Sequence, residues 1–422
     1  MFTPRPRYRF YGTPHNYVTA ARHFLASRVA SDGETDHVAM LEERVAGMVG
    51  VRHALCVPQA RFGIYLALKH LVKPGQTVIM SPYTIYDVVN MVVAAGARPV
   101  FADIERETCN IDPAEIERLI DEETGAVMVT HLHGLACDMD RIAATCRARG
   151  VPILEDAAQA FGARVGGRMV GGIGTVGVYS FGRAKNVNCF YGGMLVTDDG
   201  ELCARIAGEL ADLPLEDGTR LARRIAHCLV GDVMTFPAVF SPLTFRIFRL
   251  GALNDVKSVN RIVQTESEPV FRDTVPDHYR RRMTPLQARV VYDQLFSVDQ
   301  QTGIRLAHAR RYHEGLTGEP GIRLPPFRED GSHIYLQYPV QVDDRWDFVR
   351  HMMRHGRDVA IQHMGSAAEL DIFAEYRTDC PEARATAESC VLLPTYPGYG
   401  MAEVDANVRV IREYLRARGR RG

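Results

Sequence analysis

Lysine is the scarcest charged residue in this chain: Lys69, Lys73, Lys185 and Lys257 stand against 46 arginines in 422 residues. Bulk positive charge is therefore left to arginine. A lone lysine draws attention because arginine cannot replace it where an amine must shed its proton. The nine cysteines, an odd number, include no C-x-x-C pair, which removes the usual zinc and redox-dithiol spacings and fits a reducing cytoplasm. No run reaches the roughly 18 uninterrupted apolar residues of a membrane span. The arginine-bearing start "MFTPRPRYRFYGTPHNY" is followed by no apolar h-region, so no signal peptide is expected. A formal charge of -1 supplies no basic field for nucleic acid. Arg280 to Arg282 keep a local anion site open, and the terminal "RARGRRG" reads as a solvated tail. There is no internal repeat and no low-complexity segment.

What is present is a globular composition, 46% hydrophobic and 24% charged, enough for one large domain and one smaller one. The division expected is an N-terminal segment 1–34, a large domain 35–255 and a C-terminal small domain 256–422. From about residue 53, the β-branched runs "HALCV", "TVIM", "RPVFAD", "AVMVT" and "VPILED" alternate with helix-length stretches, which predicts βα units on a mainly parallel sheet. The helices expected between them are Phe62 to Leu71, Tyr86 to Ala95, Pro113 to Ile120 with Asp112 as N-cap, and Arg141 to Arg149 with Asp138 as N-cap. "RRMTPLQARVVYDQLFSVDQQTGIRLAHARRYHEGL" reads as one long helix opening near Thr284 and Pro285. The strand "IYLQYPVQV" and helices around Trp346 to His355 and Val404 to Arg416 close the chain. Glu201 to Asp277 resist parsing. Within them, "VMTFPAVFSPLTF", Val233 to Phe245, carries no charge over 13 residues. It is open to reading as an apolar flap, a subunit contact, or a patch touching lipid or a lipid-linked substrate.

Parallel sheets place ligands at the carboxyl ends of their strands. Asp156 ends the apolar strand "VPILED", where a carboxylate is costly unless it meets a cation; the protonated nitrogen of a pyridine ring is one such cation. Gln159 follows three residues on, on the same side if the segment turns helical. Ser180 sits at a second strand end, where a hydroxyl and nearby N–H groups suit a phosphate. Lys185 comes five residues later, ahead of the Gly192-Gly193 pair; partial burial beside a cationic cofactor would lower its pKa. Taken singly, a strand-end Asp serves equally well as a cap. His131 and His133 in "THLHGLACDM" alternate, but no partner at ligand spacing completes a metal site, and none is expected. "GARVGGRMVGGIG" lacks the strand-to-helix setting of a dinucleotide fingerprint and reads as a hairpin and turn.

The stretch "ILEDAAQAFGARVGGRMVGGIGTVGVYSFGRAKNVNCFYGGMLVT" resembles the core of the DegT/DnrJ/EryC1/StrS aminotransferases, pyridoxal phosphate (PLP) enzymes that place amino groups on nucleotide-linked sugars and cyclitols. "VFADIERETCNIDPAEIERLIDEETGAVMVTHLHGLACDMDRI", "RRMTPLQARVVYDQL" and "CVLLPTYPGYG" are similar to further segments of that family, so the resemblance covers most of residues 35 to 415. It implies a type I PLP-dependent aminotransferase fold, α/β with a large mainly parallel-sheet domain and a smaller C-terminal α+β domain. It also implies a cytoplasmic homodimer with shared active sites and small-molecule substrates. By the same resemblance, Lys185 falls on the Schiff-base lysine, Asp156 on the partner of the pyridine nitrogen, Gln159 on the residue near the ring hydroxyl and Ser180 on a phosphate ligand. The activity implied is transfer of an amino group, with glutamate as donor, to a keto group of a nucleotide-linked sugar. The alternatives are a cyclitol, antibiotic-precursor or lipid-linked acceptor, and a non-catalytic regulatory relative.

Three positions depart from the family's pattern. Its Ser-Gly-Thr phosphate turn reads Gln59-Ala60-Arg61 here; Arg61 either adds a charge-assisted phosphate contact or faces solvent. The aromatic residue that stacks on the cofactor ring falls at Ile85, so Tyr83 or Tyr86 takes over or an aliphatic face suffices. Arg280 stands where the family commonly has an asparagine reaching the phosphate from the neighbouring subunit, either doing that job with more charge or opening a solvated helix.

Overall fold

Seven strands form the central sheet of the protein, a computed structural model that describes residues 4–9, 14–26, 36–256, 268–361 and 364–419. The expected boundary between residues 34 and 35, the end of the terminal arginine cluster and Lys257 lie outside the described residues. The strands are β1 His53–Val57, β2 Thr77–Met80, β3 Arg98–Phe101, β4 Thr124–Thr130, β5 Ile153–Asp156, β6 Val176–Ser180 and β7 Gly193–Thr197. Their order is β1-β7-β6-β5-β4-β2-β3. All pairings are parallel except those of β7, which runs antiparallel to both neighbours. An α/β fold with a mostly parallel sheet is thus what the chain adopts.

These strands are apolar at almost every position because both sheet faces are covered. Alternate residues feed different layers: Val78 and Met80 point into one cluster with Leu154, Val178 and Leu195, while Ile79 joins Val127, Val129 and Ile153 in another. Helices α1 Pro14–Ala26 and α2 His37–Val49 precede the sheet; α3 Ala60–Leu71 follows β1, and α4 Tyr86–Ala94 follows β2. Helix α3 lies close on the sheet because Gly63 carries no side chain; a Cβ there would stand 3.2 Å from both Val57 and Val178. The expected caps form: Asp112 accepts from Ala114 N, with Pro113 at the first helical position, and Asp138 accepts from Arg141 N. The glycine-rich stretch is the expected hairpin, Arg164–Val165 against Arg168–Met169.

A smaller sheet follows, β8 Tyr338–Gln341, β9 Ala360–Ile361 and β10 Cys390–Leu393, antiparallel in the order β8-β10-β9. Helices Val298–Leu316, Arg345–Arg354 and Met401–Gly419 pack around it. Two expectations need correction. The long helix is two, Pro285–Leu295 and Val298–Leu316, because Ser297 N closes a tight bond to Gln294 O at 3.1 Å and turns the chain. The strand "IYLQYPVQV" forms only from Tyr338, since Tyr335 takes φ 49° and its N–H is drawn to His333 Nδ1 at 3.1 Å. The unparsed region holds helices Gly200–Ala211, Gly218–Met234, Pro237–Val239 and Phe245–Leu253, with a π-turn at Phe240–Thr244.

Candidate active site

Asp156, Ser180 and the start of α3 meet at one edge of the sheet because β5, β6 and β1 all end there. Asp156 lies opposite Val178 across the β5–β6 pairing, and Ser180 lies opposite Gly193 on β7. Gly193 is the contact point: a Cβ on it would stand 2.7 Å from Ala60 N, 2.8 Å from Tyr179 O and 3.0 Å from Gln59 C. Only glycine lets the first turn of α3 seat this close to β7. Gly193 thus brings the Ala60 N–H, the strand-end Ser180 and Gln59 into one neighbourhood, a candidate anion cradle; the Gln59 amide is buried and its Oε1 and Nε2 have no hydrogen-bond partner. A helix N-terminus without a side-chain cap, next to a hydroxyl and an unpartnered amide, is a set of donors suited to an anion.

Asp156 is buried. Burial pushes its carboxyl above the usual carboxylate range, opposed by the Ala158 N–H at 3.1 Å and by the charge of Lys185. That hydrogen bond also decides the local backbone. It folds residues 157–160 into a turn instead of the helix expected there, so Gln159 is placed by a different route. Its Oε1 accepts the His133 N–H at 3.0 Å, and its amide nitrogen faces Met364 Sδ at 4.0 Å.

Lys185 is half-buried on the loop between β6 and β7. Desolvation lowers its ammonium to about 8, with Asp156 opposing and Arg61 adding to the depression. The loop is held from both ends: Asn186 Nδ2 donates to Phe161 O at 2.7 Å, and Gln294 Nε2 donates to Asn188 O at 2.6 Å. Ala184 and Phe190 on either side of the lysine adopt φ 63° and 69°, a conformation that residues with a Cβ take at a cost of about 1 kcal/mol or more. Strain of this kind persists where the surroundings over-determine the loop.

Arg61 reaches toward this group but carries its own counter-ion. Its Nη1 lies 2.7 Å from Asp87 Oδ2 and 3.3 Å from the Tyr279 hydroxyl, and its guanidinium sits 5.4 Å from the centre of the Tyr279 ring. Arg272 Nη1 is 3.0 Å from the other Asp87 oxygen. Burial would raise the Asp87 carboxyl, yet the Tyr279 hydroxyl and Arg61 outweigh it and hold it below its ordinary value. Two guanidiniums on one carboxylate leave this wall of the site positive.

The remaining expected residues are placed less centrally. Tyr83 sends its ring into the core with its hydroxyl beside Cys390 and Cys109, so the expectation that it stacks on a cofactor ring is not met by this placement. Ile85 is half-buried at the N-cap of α4. Arg280 is exposed, directly after the Tyr279 that holds Arg61.

Three further residues border this group: Glu155, which the sequence reading did not single out, and His131 and His133, which it weighed only as metal ligands or pocket lining. Glu155, next to Asp156, is fully buried on the other face of β5. It accepts from Gly171 N and Ile173 N at 2.7 Å each, from Gly174 N, and from His131 Nε2 at 3.1 Å. His131 Nδ1 accepts the Cys137 N–H at 3.0 Å, which places its ring proton on the nitrogen facing Glu155. The third is His133, buried at φ 56° with both ring nitrogens unpartnered. Desolvation lowers it to about 4, Gln337 opposing and Lys185 adding to the effect, so it is a neutral imidazole facing the lysine. The signal that could have found Glu155 was available: a glutamate inside a fully apolar strand needs several donors.

Comparison with known proteins finds relatives over most of the chain. The model of the "DegT/DnrJ/EryC1/StrS aminotransferase family" matches residues 15–216 and 263–412. The chain is 29% identical over 393 residues to the spore coat polysaccharide biosynthesis protein SpsC of Bacillus subtilis (strain 168), covering 90% of each. Among solved structures it is similar to S. venezuelae DesV in complex with a ketimine intermediate, at TM-score 0.73 and 25% identity over 97% of this chain and 99% of that one. It is also similar to an aminotransferase from Psychrobacter cryohalolentis, at TM-score 0.77 and 22% identity over 98% and 99%.

Proposed function

Because the chain belongs to the DegT/DnrJ/EryC1/StrS aminotransferase family, we infer that it is a PLP-dependent transaminase moving an amino group from glutamate to a keto group of a nucleotide-linked sugar. The observation that carries this reading is the placement of Lys185: half-buried, lowered to about 8, between Asp156 and Arg61 and next to an anion cradle. Pyridoxal phosphate, when bound, supplies an electron sink for the carbanion formed at the substrate carbon. Its phosphate would be held by Ser180, the Ala60 N–H and Gln59, its ring nitrogen by Asp156 and its ring hydroxyl side by Gln159. The unpartnered Gln59 amide and the buried Asp156, raised by burial, are the features this group fits.

The rest of the work falls to the chain. About a tenth of Lys185 is neutral at pH 7 if it titrates near 8, which suits it as the base that would carry a proton between the substrate carbon and the cofactor carbon. Asp156 would keep a positive charge on the ring nitrogen. His133, neutral and facing the lysine, adds no competing charge. Arg61 and Arg272 neutralise phosphate charge at second hand, through a wall they share with Asp87.

The name of the Bacillus subtilis relative supports an amino sugar destined for a polysaccharide. The nine free cysteines, eight of them buried, support a cytoplasmic enzyme. A homodimer in which Arg280 reaches the neighbouring phosphate accounts for an exposed arginine at that position.

The test has two steps. The purified protein should be yellow, and borohydride should fix a pyridoxyl group on Lys185; a colourless protein that takes up no PLP sinks the reading. Protein loaded with pyridoxamine phosphate is then given a panel of keto sugar nucleotides while the return of the PLP spectrum is followed. Silence across that panel moves the acceptor to a cyclitol, an antibiotic precursor or a lipid-linked sugar.

A further inference from the structure

The family model passes over residues 217–262, and those residues carry a helical pair with an unusual outer face. Its inner side is fixed to the protein. Leu221 and Cys228 are buried in the core, Phe240 and Phe245 join the apolar cluster of the smaller sheet, and the Tyr17 hydroxyl donates to the buried Asp232 at 2.5 Å. On the outer side of Gly218–Met234, Ala222, Ala226, Leu229 and Val233 repeat at helical spacing and face solvent. Val230 is 61% exposed and Phe236 51%. After a bend of 59° the second arm, Pro237–Leu253, continues the stripe; Leu243, Ile247 and Leu250 are 50%, 40% and 61% exposed. Exposed apolar stripes of this length mark a contact surface.

Charge selects the partner. Arg223, Arg246 and Arg249 flank the stripe and are exposed. The only acidic residue between Gly218 and Leu253 is Asp232, and it is buried against Tyr17. A second copy meeting this face across a two-fold axis would set arginine against arginine. An anionic bilayer meets both features at once, taking the apolar stripe below the headgroups and the arginines at the phosphates.

We propose that residues 218–253 dock the enzyme on an anionic membrane surface, lying in the headgroup plane. No single helix among the described residues is long and apolar enough to cross a membrane. Crossing by the bent pair would also pull Leu221, Phe240 and Phe245 out of the core, whereas surface docking leaves them in place. Leu229, Val233 and Phe236 form one wall of a cavity of about 720 Å³ that Asn186, the neighbour of Lys185, also lines. Docking therefore brings the bilayer to the edge of the lysine loop. The proposal is independent of the acceptor chosen above.

The test is sedimentation of the full-length, PLP-loaded protein with vesicles of phosphatidylcholine mixed with phosphatidylglycerol, and with phosphatidylcholine alone, at low and high salt. Binding is expected to the mixed vesicles only and to weaken with salt. Arg246→Gln with Arg249→Gln should lower partitioning about fivefold per arginine, and Val230→Ser with Leu250→Ser should abolish it, both variants keeping wild-type colour and melting temperature. Failure to bind the mixed vesicles overturns the proposal, as does binding that neither variant alters. A mass in light scattering that falls in the Val230→Ser, Leu250→Ser variant, without vesicle binding by the wild type, assigns the face to self-association and overturns it equally.

Discussion

Gly193→Ala tests whether the cradle is built by backbone approach. The added Cβ would meet Ala60 N at 2.7 Å, Tyr179 O at 2.8 Å and Gln59 C at 3.0 Å. Relaxed contacts to carbon lie nearer 3.5–4.0 Å, so something must move by roughly half an ångström or more. All three neighbours are main chain, two at the first turn of α3 and one within β6, and none can rotate away. The cost expected is that of overpacking, about 1–3 kcal/mol, split between the fold and the ligand. If α3 yields, the Ala60 N–H moves off the Ser180 side of the cradle, and PLP affinity should fall about 5- to 100-fold. The assay pairs urea denaturation of the apoprotein with PLP titration followed by absorbance. Gly208→Ala is the control: it lies in helix Gly200–Ala211 with nothing within 4 Å of the new methyl, and should stabilise by about 0.5–1 kcal/mol without touching PLP affinity. Wild-type PLP binding by Gly193→Ala would refute the cradle as described.

Three further outcomes follow from the same geometry. The rate of PLP incorporation into apoprotein should rise about tenfold per pH unit while Lys185 is mostly protonated and level off above about 8, because only the neutral amine reacts; a rate still climbing at pH ~10, near an unperturbed lysine, contradicts the depressed value. Glu155→Gln removes a buried charge that four donors share and places an NH₂ against them, so urea melts should show a loss of about 3–5 kcal/mol, and a loss under about 1 kcal/mol would mean the loop is held otherwise. Asp87→Asn should cost about 2 kcal/mol at neutral pH, less than a fully buried pair because the Arg61 and Arg272 side chains stay 27% and 31% exposed. Since the folded Asp87 carboxyl is held below its unfolded value, its contribution is present above about pH 4 and fades as pH falls through the folded value, so the gap between wild type and variant must narrow in acid; a constant gap would assign the loss to packing.

The strand-end positions of Asp156 and Ser180 were legible because the apolar runs themselves fix where strands stop, and Lys185 follows on the loop that leaves the second of them. The helical condition attached to Gln159 is not met. The Asp156 carboxylate bonds the Ala158 N–H and makes a turn, a competition between side chain and helix that spacing alone does not reveal. Glu155 hid in plain view, since an apolar run had already assigned its strand to the core without asking which donors a buried glutamate needs. Residues 218–253 defeated the reading for a physical reason: much of their apolar surface faces outward, so hydrophobic periodicity pointed away from the core it normally locates. The break at Ser297 follows from side chains already committed elsewhere, Gln294 being bound to Asn188 O, a contact 106 residues away in sequence.

The two neighbouring carboxylates of β5 also set a mechanical tolerance. Glu155 clamps the Gly171 to Gly174 loop from one face of the sheet while Asp156 faces the candidate site from the other, and successive Cα atoms across a trans peptide stand only about 3.8 Å apart. A displacement of that loop is thus transmitted to the site across a single rigid plane, with no intervening joint to absorb it. A glycine hairpin on the back of the sheet becomes an alignment element, and drift in its sequence should register first as a misplaced carboxylate.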